Sequence, residues 1–372
     1  MNEEIFQKAL QGASKWELQQ IEGLALARKK IPSWAETEGL QWPVRLSMEQ
    51  CSSEQTARYK ASLLQDVPSE ERALLVDATG GFGVDFAFMA PLFQKAVYIE
   101  QNAELCRLAQ HNLSLLGLSH ATCVVGQAEQ LLMSQIPDEG RGMCCCFIDP
   151  ARRDSHNRKM VGLKDCTPDV TVLVPELLAR GVRVMLKLSP MLDVTAALRE
   201  LSGEWAVYAV AVEGECKELL LLSHASGVHA VNISRAGVCD FHPQVDSECK
   251  KAYARQLSRY LYEPSAAVLK AGLQDALPGE KLSPQSHLFT SDELLPDFPG
   301  RGFKVERALG FSKKELKEIT DGLYQANLTV RGFPMSVAQL RKKLRLEEGG
   351  DVYLFAATMA DRSHVLIKCS KI

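Results

Sequence analysis

Three glycines fall within four residues, Gly80, Gly81 and Gly83, and two carboxylates, Asp77 and Asp85, bracket them. Glycine costs conformational entropy on folding, so such a cluster needs a reason. A glycine turn lets a ligand approach the backbone, and the helix it opens presents an electropositive end. Asp77, Glu100, Gln127 and Asp149 each stand at or just past the end of a short apolar run. Runs of that kind read as buried strands. In an open parallel sheet, ligands bind beyond the carboxyl ends of the strands. The four residues, and the turn with Thr79 at its start, are therefore expected to face one crevice.

The details of the turn select among ligands. A dinucleotide site usually shows G-x-G-x-x-G. Here the position three after Gly83 is Phe86, so the third glycine is absent. Asp77 also precedes the turn, and a carboxylate beside a pyrophosphate is repulsive. Beside the ammonium of a methionine moiety it is favourable. The pattern fits S-adenosylmethionine better than a nicotinamide dinucleotide. Glu100 lies 17 residues past Gly83, near the ~20 expected of an acid that binds ribose hydroxyls. Gln127 stands where an adenine amine would need an acceptor, which a glutamine carbonyl supplies without charge. It reads equally as a polar residue at a strand end.

"FIDPARRD" places Asp149 and Pro150 where methyltransferases hold the methyl acceptor. Enzymes that methylate exocyclic amines carry Asp or Asn there, then two prolines and an aromatic residue. The carboxylate and a main-chain carbonyl accept hydrogen bonds from the amine, which positions its lone pair. In this chain Ala151 and Arg152 replace the second proline and the aromatic residue. Arg152 suits a phosphate or a stacked base, or a structural ion pair. "DPAR" also resembles the motif of RNA 5-methyluridine methyltransferases. Those need a cysteine nucleophile after the fifth strand. That strand ends "LKLSP", with Lys187 and Ser189 as candidate pocket residues and no cysteine following nearby. Carbon methylation would need Cys166 to reach the site.

Strands must place these residues. Residues 1 to about 70 read as helices. From about 73, strand and helix alternate through five strands, which predicts a parallel sheet covered on both faces. "WAVYAVAVEG" and "CKELLLLSH" add two strands joined by a hairpin-length link, so one edge strand is expected to be antiparallel. Seven strands with an antiparallel seventh is the class I methyltransferase arrangement, a Rossmann-like α/β fold. After about 226 comes a connecting region, a helix near "PSAAVLKAG" and a Pro/Gly/Ser-rich stretch. A small α+β unit of ~70 residues follows, enough for its own core.

With 372 residues, two or three domains are expected. A net charge of -3 does not announce a nucleic-acid binder, although a basic face can exist locally. No apolar run reaches the ~18 residues of a membrane span. The amino terminus lacks a signal-peptide core, and eleven cysteines without a CxxC pair suit a reducing compartment. A cytoplasmic protein is expected. Cys239, His242 and Cys249 fit no strong zinc spacing, so no metal is expected.

Taken together, "VDATGGFGVD", "FIDPARRD" and "LKLSPMLD" resemble a bacterial family of class I S-adenosylmethionine-dependent methyltransferases with a THUMP-like C-terminal domain. "YLYEPSAAVLKAG" resembles that family's ferredoxin-like insert. "ANLTVRGFPMSVAQLRKKLRL" and "YLFAATMADRSHVLIKC" resemble its THUMP-like unit. The implied division is an N-terminal helical domain (1–70), a methyltransferase domain (71–226), a connecting and ferredoxin-like segment (227–300) and a THUMP-like domain (301–372). The resemblance implies S-adenosylmethionine as cofactor. It also implies that Asp77, Thr79, Gly80, Gly81, Gly83, Asp85, Glu100 and Gln127 hold the cofactor. By analogy with trimethylguanosine synthases, Ser53, Thr56 and Lys60 would close over it. Asp149, Pro150 and Arg152 would carry catalysis. THUMP domains accompany RNA-modifying enzymes, so RNA (tRNA or rRNA) is the favoured partner, with Arg331, Arg341 and Lys342 as phosphate contacts. A non-catalytic RNA-binding protein of this fold and a small-molecule methyltransferase remain the alternatives.

Overall fold

The computed structural model describes residues 14–137, 144–152, 162–243 and 253–372. The chain divides into two compact units. The first comprises Met1–Val212 and Lys217–Gly227, the second Glu213–Cys216 and Val228–Ile372. No helix among the described residues is long and apolar enough to cross a membrane.

The first unit begins with helices α1 (Lys15–Lys30), α2 (Pro32–Ala35), α3 (Arg45–Gln50) and α4 (Glu54–Gln65). Ser14 caps α1 in a capping box with Glu17, which satisfies orphan donors at both ends of the exchange. The sheet segment follows as β1 (Leu74–Asp77), α5 (Val84–Met89), β2 (Lys95–Glu100), α6 (Ala103–Leu115), β3 (Ala121–Val125), α7 (Ala128–Gln135) and β4 (Cys144–Ile148). A short ribbon pairs β5 (Ala151–Arg152) with β6 (Cys166–Thr167). Then come α8 (Val170–Ala179), β7 (Arg183–Leu188), α9 (Val194–Glu200), β8 (Trp205–Val212) and β9 (Glu215–Ser223).

Within this unit the strands lie in the order β8-β9-β7-β4-β1-β2-β3. β7, β4, β1, β2 and β3 run parallel to one another. Every residue of β4 is buried, including Cys144, Cys145 and Cys146, as expected for a strand covered on both faces. The fold is thus α/β with the seven-stranded sheet expected from the sequence. One expectation fails. The antiparallel strand is not at an edge: β9 lies between β7 and β8 and runs antiparallel to β7. Glu213 and Gly214, both at positive φ, make a two-residue hairpin turn. That turn folds β9 straight back beside β8, into the space next to β7.

The N-terminal helices are part of this unit's core. Ile31, Trp34, Trp42 and Met48 pack with Ala57, Phe82, Val84 and Leu108. Phe82, inside the glycine turn, meets Trp34 edge-on at 5.3 Å and Trp42 at 6.0 Å.

In the second unit β10 (Val228–Ser234) and β11 (Gly237–Phe241) form an antiparallel hairpin where the sequence suggests only a connection. The remaining elements are β12 (Tyr260–Pro264), α10 (Ala266–Ala271), β13 (Glu280–Lys281), β14 (Phe289–Ser291), β15 (Gly300–Leu309), α11 (Lys313–Ile319), β16 (Asn327–Arg331), α12 (Val337–Leu344), β17 (Val352–Thr358) and β18 (His364–Lys371). β12 to β18 form one sheet, in the order β13-β14-β12-β15-β18-β17-β16. Residue 300 falls inside it, because β15 starts there and pairs with β12. The sheet carries a core on each face. Leu354 and Ala356 pack with Leu316 and Leu340 of the helices. Phe355 and Ala357 pack with Leu261 and Phe303. The period-2 alternation of β17 is what divides them.

Buried Asn112 of α6 holds the N-terminal segment from the other side. Its amide accepts from the Gln41 N–H at 2.9 Å and donates to the Gln41 carbonyl at 2.8 Å. Asn112→Ala leaves both backbone groups unpaired. An orphaned polar group costs about 1–3 kcal/mol, so the variant is expected to lose about 2–4 kcal/mol of unfolding free energy in urea titrations. Limited proteolysis should then cut first between residues 35 and 45.

Candidate active site

A cleft of about 240 Å³ opens at the carboxyl ends of β1, β2 and β4. That is several times the ~30 Å³ share of one water, so it admits an organic ligand. Asp77, Thr79, Gly80, Gly81, Gly83, Asp85, Glu100, Gln127, Asp149 and Lys187 all line it. These ten positions share one wall because the five parallel strands that carry them end together.

The turn is built tightly. A Cβ on Gly80 would sit 2.2 Å from the ring of Tyr98, a fully buried residue. Gly81 and Gly83 have φ of +58° and +85°, where other residues are strained. Gly80 is therefore required by a neighbouring side chain, and the other two by backbone conformation. The Tyr98 hydroxyl donates to the Gly81 carbonyl. The Gly81 N–H donates to Glu100 Oε2 at 2.7 Å, and the Asn102 N–H donates to Oε1 at 2.7 Å. Glu100 thus has both oxygens anchored, with a further lone pair on each directed elsewhere.

Thr79 joins the Asp77 carboxylate to the Asp149 backbone. Its N–H donates to Asp77 Oδ1 at 2.9 Å, and its hydroxyl accepts from the Asp149 N–H at 2.7 Å. Asp77 is buried, and its carboxyl is pushed up to about 8 by burial; Asp85, Asp149 and Glu100 add to the rise. Asp149 is 38% exposed at its side chain. Its Oδ2 receives the Lys187 ammonium at 2.5 Å.

Lys187 belongs to a buried ion network. It lies 3.6 Å from Asp85, which also accepts from the Ser52 hydroxyl at 2.7 Å and faces Lys60 at 3.2 Å. Lys60 in turn meets Glu218 of β9 at 2.6 Å. Burial would lower the Lys187 ammonium, but Asp149, Asp85 and Glu218 hold it well above the usual lysine range. Burial would raise the Asp85 carboxyl, but the Lys60 and Lys187 ammoniums bring it below the usual range. Burial raises that of Glu218.

Several expectations change here. Lys60 is fully buried in this network, and neither it nor Thr56 lines the cleft. Thr56 Oγ1 donates to the Ser53 carbonyl at 3.1 Å, and Ser53 caps α4. The N-terminal segment still reaches the cleft, but through Ser47, Gln50, Cys51 and Ser52. Burial pushes the Cys51 thiol up to about 11, so it is no thiolate nucleophile near neutral pH. Pro150 is half-buried beside the cleft and does not line it. Arg152 is fixed by its backbone in β5, and its side chain lies outside the described portion. Cys166 is buried in β6 and off the cleft wall. Ser189 accepts from the Met191 N–H in a local turn and also lies off the wall. Gln127 is exposed at the rim and accepts from Gln130 at 3.3 Å. The sequence could have pointed to Ser52, adjacent to the "SEQT" helix start, but nothing in it links Lys60 to Glu218, 158 residues away.

In the second unit, Arg331 pairs with buried Glu263 at 2.6 Å, and Arg301 binds the other oxygen of the same carboxylate. Arg341 donates to the Ala326 carbonyl, just before β16, whereas Arg331 ends that strand. The two arginines expected to form one face therefore sit at opposite ends of β16. Lys342 is exposed. Cys239 and Asp240 are neighbours on β11 and point to opposite faces, which puts Cys239 on the face away from His242. Cys249 lies outside the described residues.

Asp77 makes stability depend on pH. Its folded-state value, about 8, is raised above the ordinary aspartate value of 3.8. The contribution is therefore fully present below about 4 and lost as pH rises through about 8. Ligand-free protein is expected to lose stability between pH 5 and pH 8.5. Asp77→Asn should flatten that slope, measured by denaturant unfolding at each pH. An unchanged slope in the variant would refute the assignment.

Family models match two parts of the chain: a ferredoxin-like domain over residues 260–299 and a THUMP domain-like unit over 300–371. An S-adenosylmethionine-dependent methyltransferase of Mycobacterium tuberculosis, itself uncharacterized, is 27% identical over 308 residues, 81% of this chain and 80% of its own length. A crystal structure from Porphyromonas gingivalis W83, assigned as a methyltransferase, is 33% identical with a TM-score of 0.83. It covers 95% of this chain and 89% of its own. The cleft at the strand ends and these likenesses agree. The chain belongs to the bacterial class I S-adenosylmethionine-dependent methyltransferases that carry a ferredoxin-like segment and a THUMP-like C-terminal domain, and S-adenosylmethionine is its cofactor.

Proposed function

We propose that the protein methylates RNA at an amine or ring nitrogen of a base held at Asp149. The observation that carries this reading is the placement of the Asp149 carboxylate. It faces the same cleft as the glycine turn, with one oxygen held by Lys187 and its backbone N–H held by Thr79.

The cleft suits the cofactor on its own chemistry. Asp77 is a buried carboxyl that receives its hydrogen bonds from Thr79, so an ammonium there relieves the cost of its charge. Glu100 keeps lone pairs for ribose hydroxyls, Gln127 offers a carbonyl to an adenine amine, and the Gly80–Gly83 turn admits close backbone approach. Bound S-adenosylmethionine supplies an electrophilic methyl group on a sulfonium centre.

The chain's own residues do the rest. Asp149 accepts a hydrogen bond from the acceptor N–H and, with the Pro150 carbonyl, aims the nitrogen lone pair into the cleft. Lys187 holds one oxygen of that carboxylate and fixes its direction. The proton lost from nitrogen passes to Asp149 and on to water. RNA is favoured because the C-terminal unit resembles THUMP domains. Lys342 and Lys343 of α12 are exposed and offer phosphate contacts. Arg341 and Arg331 are already bonded within the unit, and Arg152 remains a candidate contact to the RNA.

The test is transfer of labelled methyl to bulk RNA. Wild type is expected to label it, and Asp149→Ala to lose at least about 100-fold in rate while calorimetry finds cofactor affinity within threefold. Cofactor binding without transfer to RNA would favour a non-catalytic RNA-binding role. Transfer to small molecules alone would also overturn the reading.

A further inference from the structure

We infer that the β10–β11 hairpin carries a site for a divalent transition-metal ion, held by His229, Asp240 and His242. The pairing register creates it. Ala230 lies opposite Phe241 and Val231 opposite Asp240. Continuing that register puts His229 opposite His242. His242 directly follows β11, two residues past Asp240, and Asp240 lies diagonal to His229 across the pair. The three side chains converge, and one ligand atom from each lies within 4.8 Å of the others.

The distances suit a coordination sphere. Bonds of about 2.0–2.1 Å to nitrogen and oxygen put adjacent ligand atoms about 2.9–3.4 Å apart. His229 Nδ1 stands 2.9 Å from Asp240 Oδ2. His242 Nδ1 stands 3.8 Å from Asp240 Oδ1, so it must close by less than about 1 Å. The imidazoles stack at 4.8 Å and 26°, which sets both rings edge-on to the carboxylate. His242 is 62% exposed at its side chain and free to adjust, whereas His229 is 16% exposed and fixed. Two imidazoles and one carboxylate prefer zinc, cobalt, nickel or copper over magnesium or calcium. Three protein ligands leave positions for water. The ion would clip the two strands together across their open end.

The same hairpin contains Cys239, which the register points to the opposite face. That makes the ligand type testable. Full-length protein, stripped with a chelator and then passed free of it, is titrated with Zn2+ by calorimetry and with Co2+ by absorption. The expected result is one equivalent bound, with cobalt bands in the visible and no thiolate charge-transfer band. His242→Ala and His229→Ala are each expected to weaken binding at least tenfold, and Cys239→Ser to leave it unchanged. Zn2+ should raise the melting temperature of wild type and not of His242→Ala, whose exposed position keeps the fold intact. Binding that survives both histidine substitutions, a thiolate band lost in Cys239→Ser, or no stoichiometric binding by wild type would overturn the site.

Discussion

Two buried lysines and three carboxylates hold the catalytic end of the sheet together. Lys60 comes from α4, Asp85 from α5, Asp149 from the end of β4, Lys187 from β7 and Glu218 from β9. Burying one such charge unpaired costs several kcal/mol, and good geometry with added hydrogen bonds is what offsets it. The Ser52 hydroxyl supplies one of those bonds. Because each ion depends on the next, no member can shift alone. Lys60 cannot leave without exposing Asp85 and Glu218 to each other. Lys187 cannot leave without freeing Asp149 and Asp85. The network therefore ties the N-terminal helices to the rim of the sheet, and it sets the direction of the carboxylate that faces the cleft.

The glycine turn depends on a second constraint, which is steric. Tyr98 fills the place where a Gly80 side chain would stand, and its hydroxyl bonds the turn's own carbonyl. Phe82 is gripped between Trp34 and Trp42 on the outer side. The turn is thus held from the sheet side by a tyrosine and from the helical side by two tryptophans. Its rigidity comes from aromatic packing, and its open side faces the cleft through Gly81 and Gly83. A ligand meets a surface already formed.

The strand ends were legible in the sequence because two rules coincide there. Apolar runs mark buried strands, and a polar residue that ends such a run must be at the crevice. That logic found Asp77, Glu100, Gln127 and Asp149 without any knowledge of packing. It failed where the partner was distant in sequence. Lys60 reads as a solvated helix position until Glu218 is brought to it from β9. Arg331 reads as a phosphate contact until Glu263 is found beneath it. The hidden residue in each case is a buried carboxylate, and burial of a charge is a property of tertiary structure. The position of β9 failed for a related reason: a hairpin turn tells that two strands pair, not which other strand accepts the second one. His229 and His242 were invisible as a pair because their register exists only once β10 and β11 are recognised as strands.

The Lys187 contact narrows the chemistry open to Asp149. The ammonium that holds Oδ2 at 2.5 Å occupies one side of the carboxylate and fixes its direction. The carboxylate remains a good hydrogen-bond acceptor through its other oxygen. Nitrogen acceptors need only that. A neutral amine already has its lone pair, and its proton becomes acidic only as the new bond places positive charge on nitrogen. Carbon acceptors need more, namely a nucleophile that adds to the ring and a base that later removes a proton. Among the described residues that line the cleft, the one thiol is Cys51, and burial keeps it protonated at neutral pH. On the proposed reading, the cleft lining therefore suits a nitrogen acceptor better than a carbon one, independently of the departure at Ala151 from the usual amine-methylating motif.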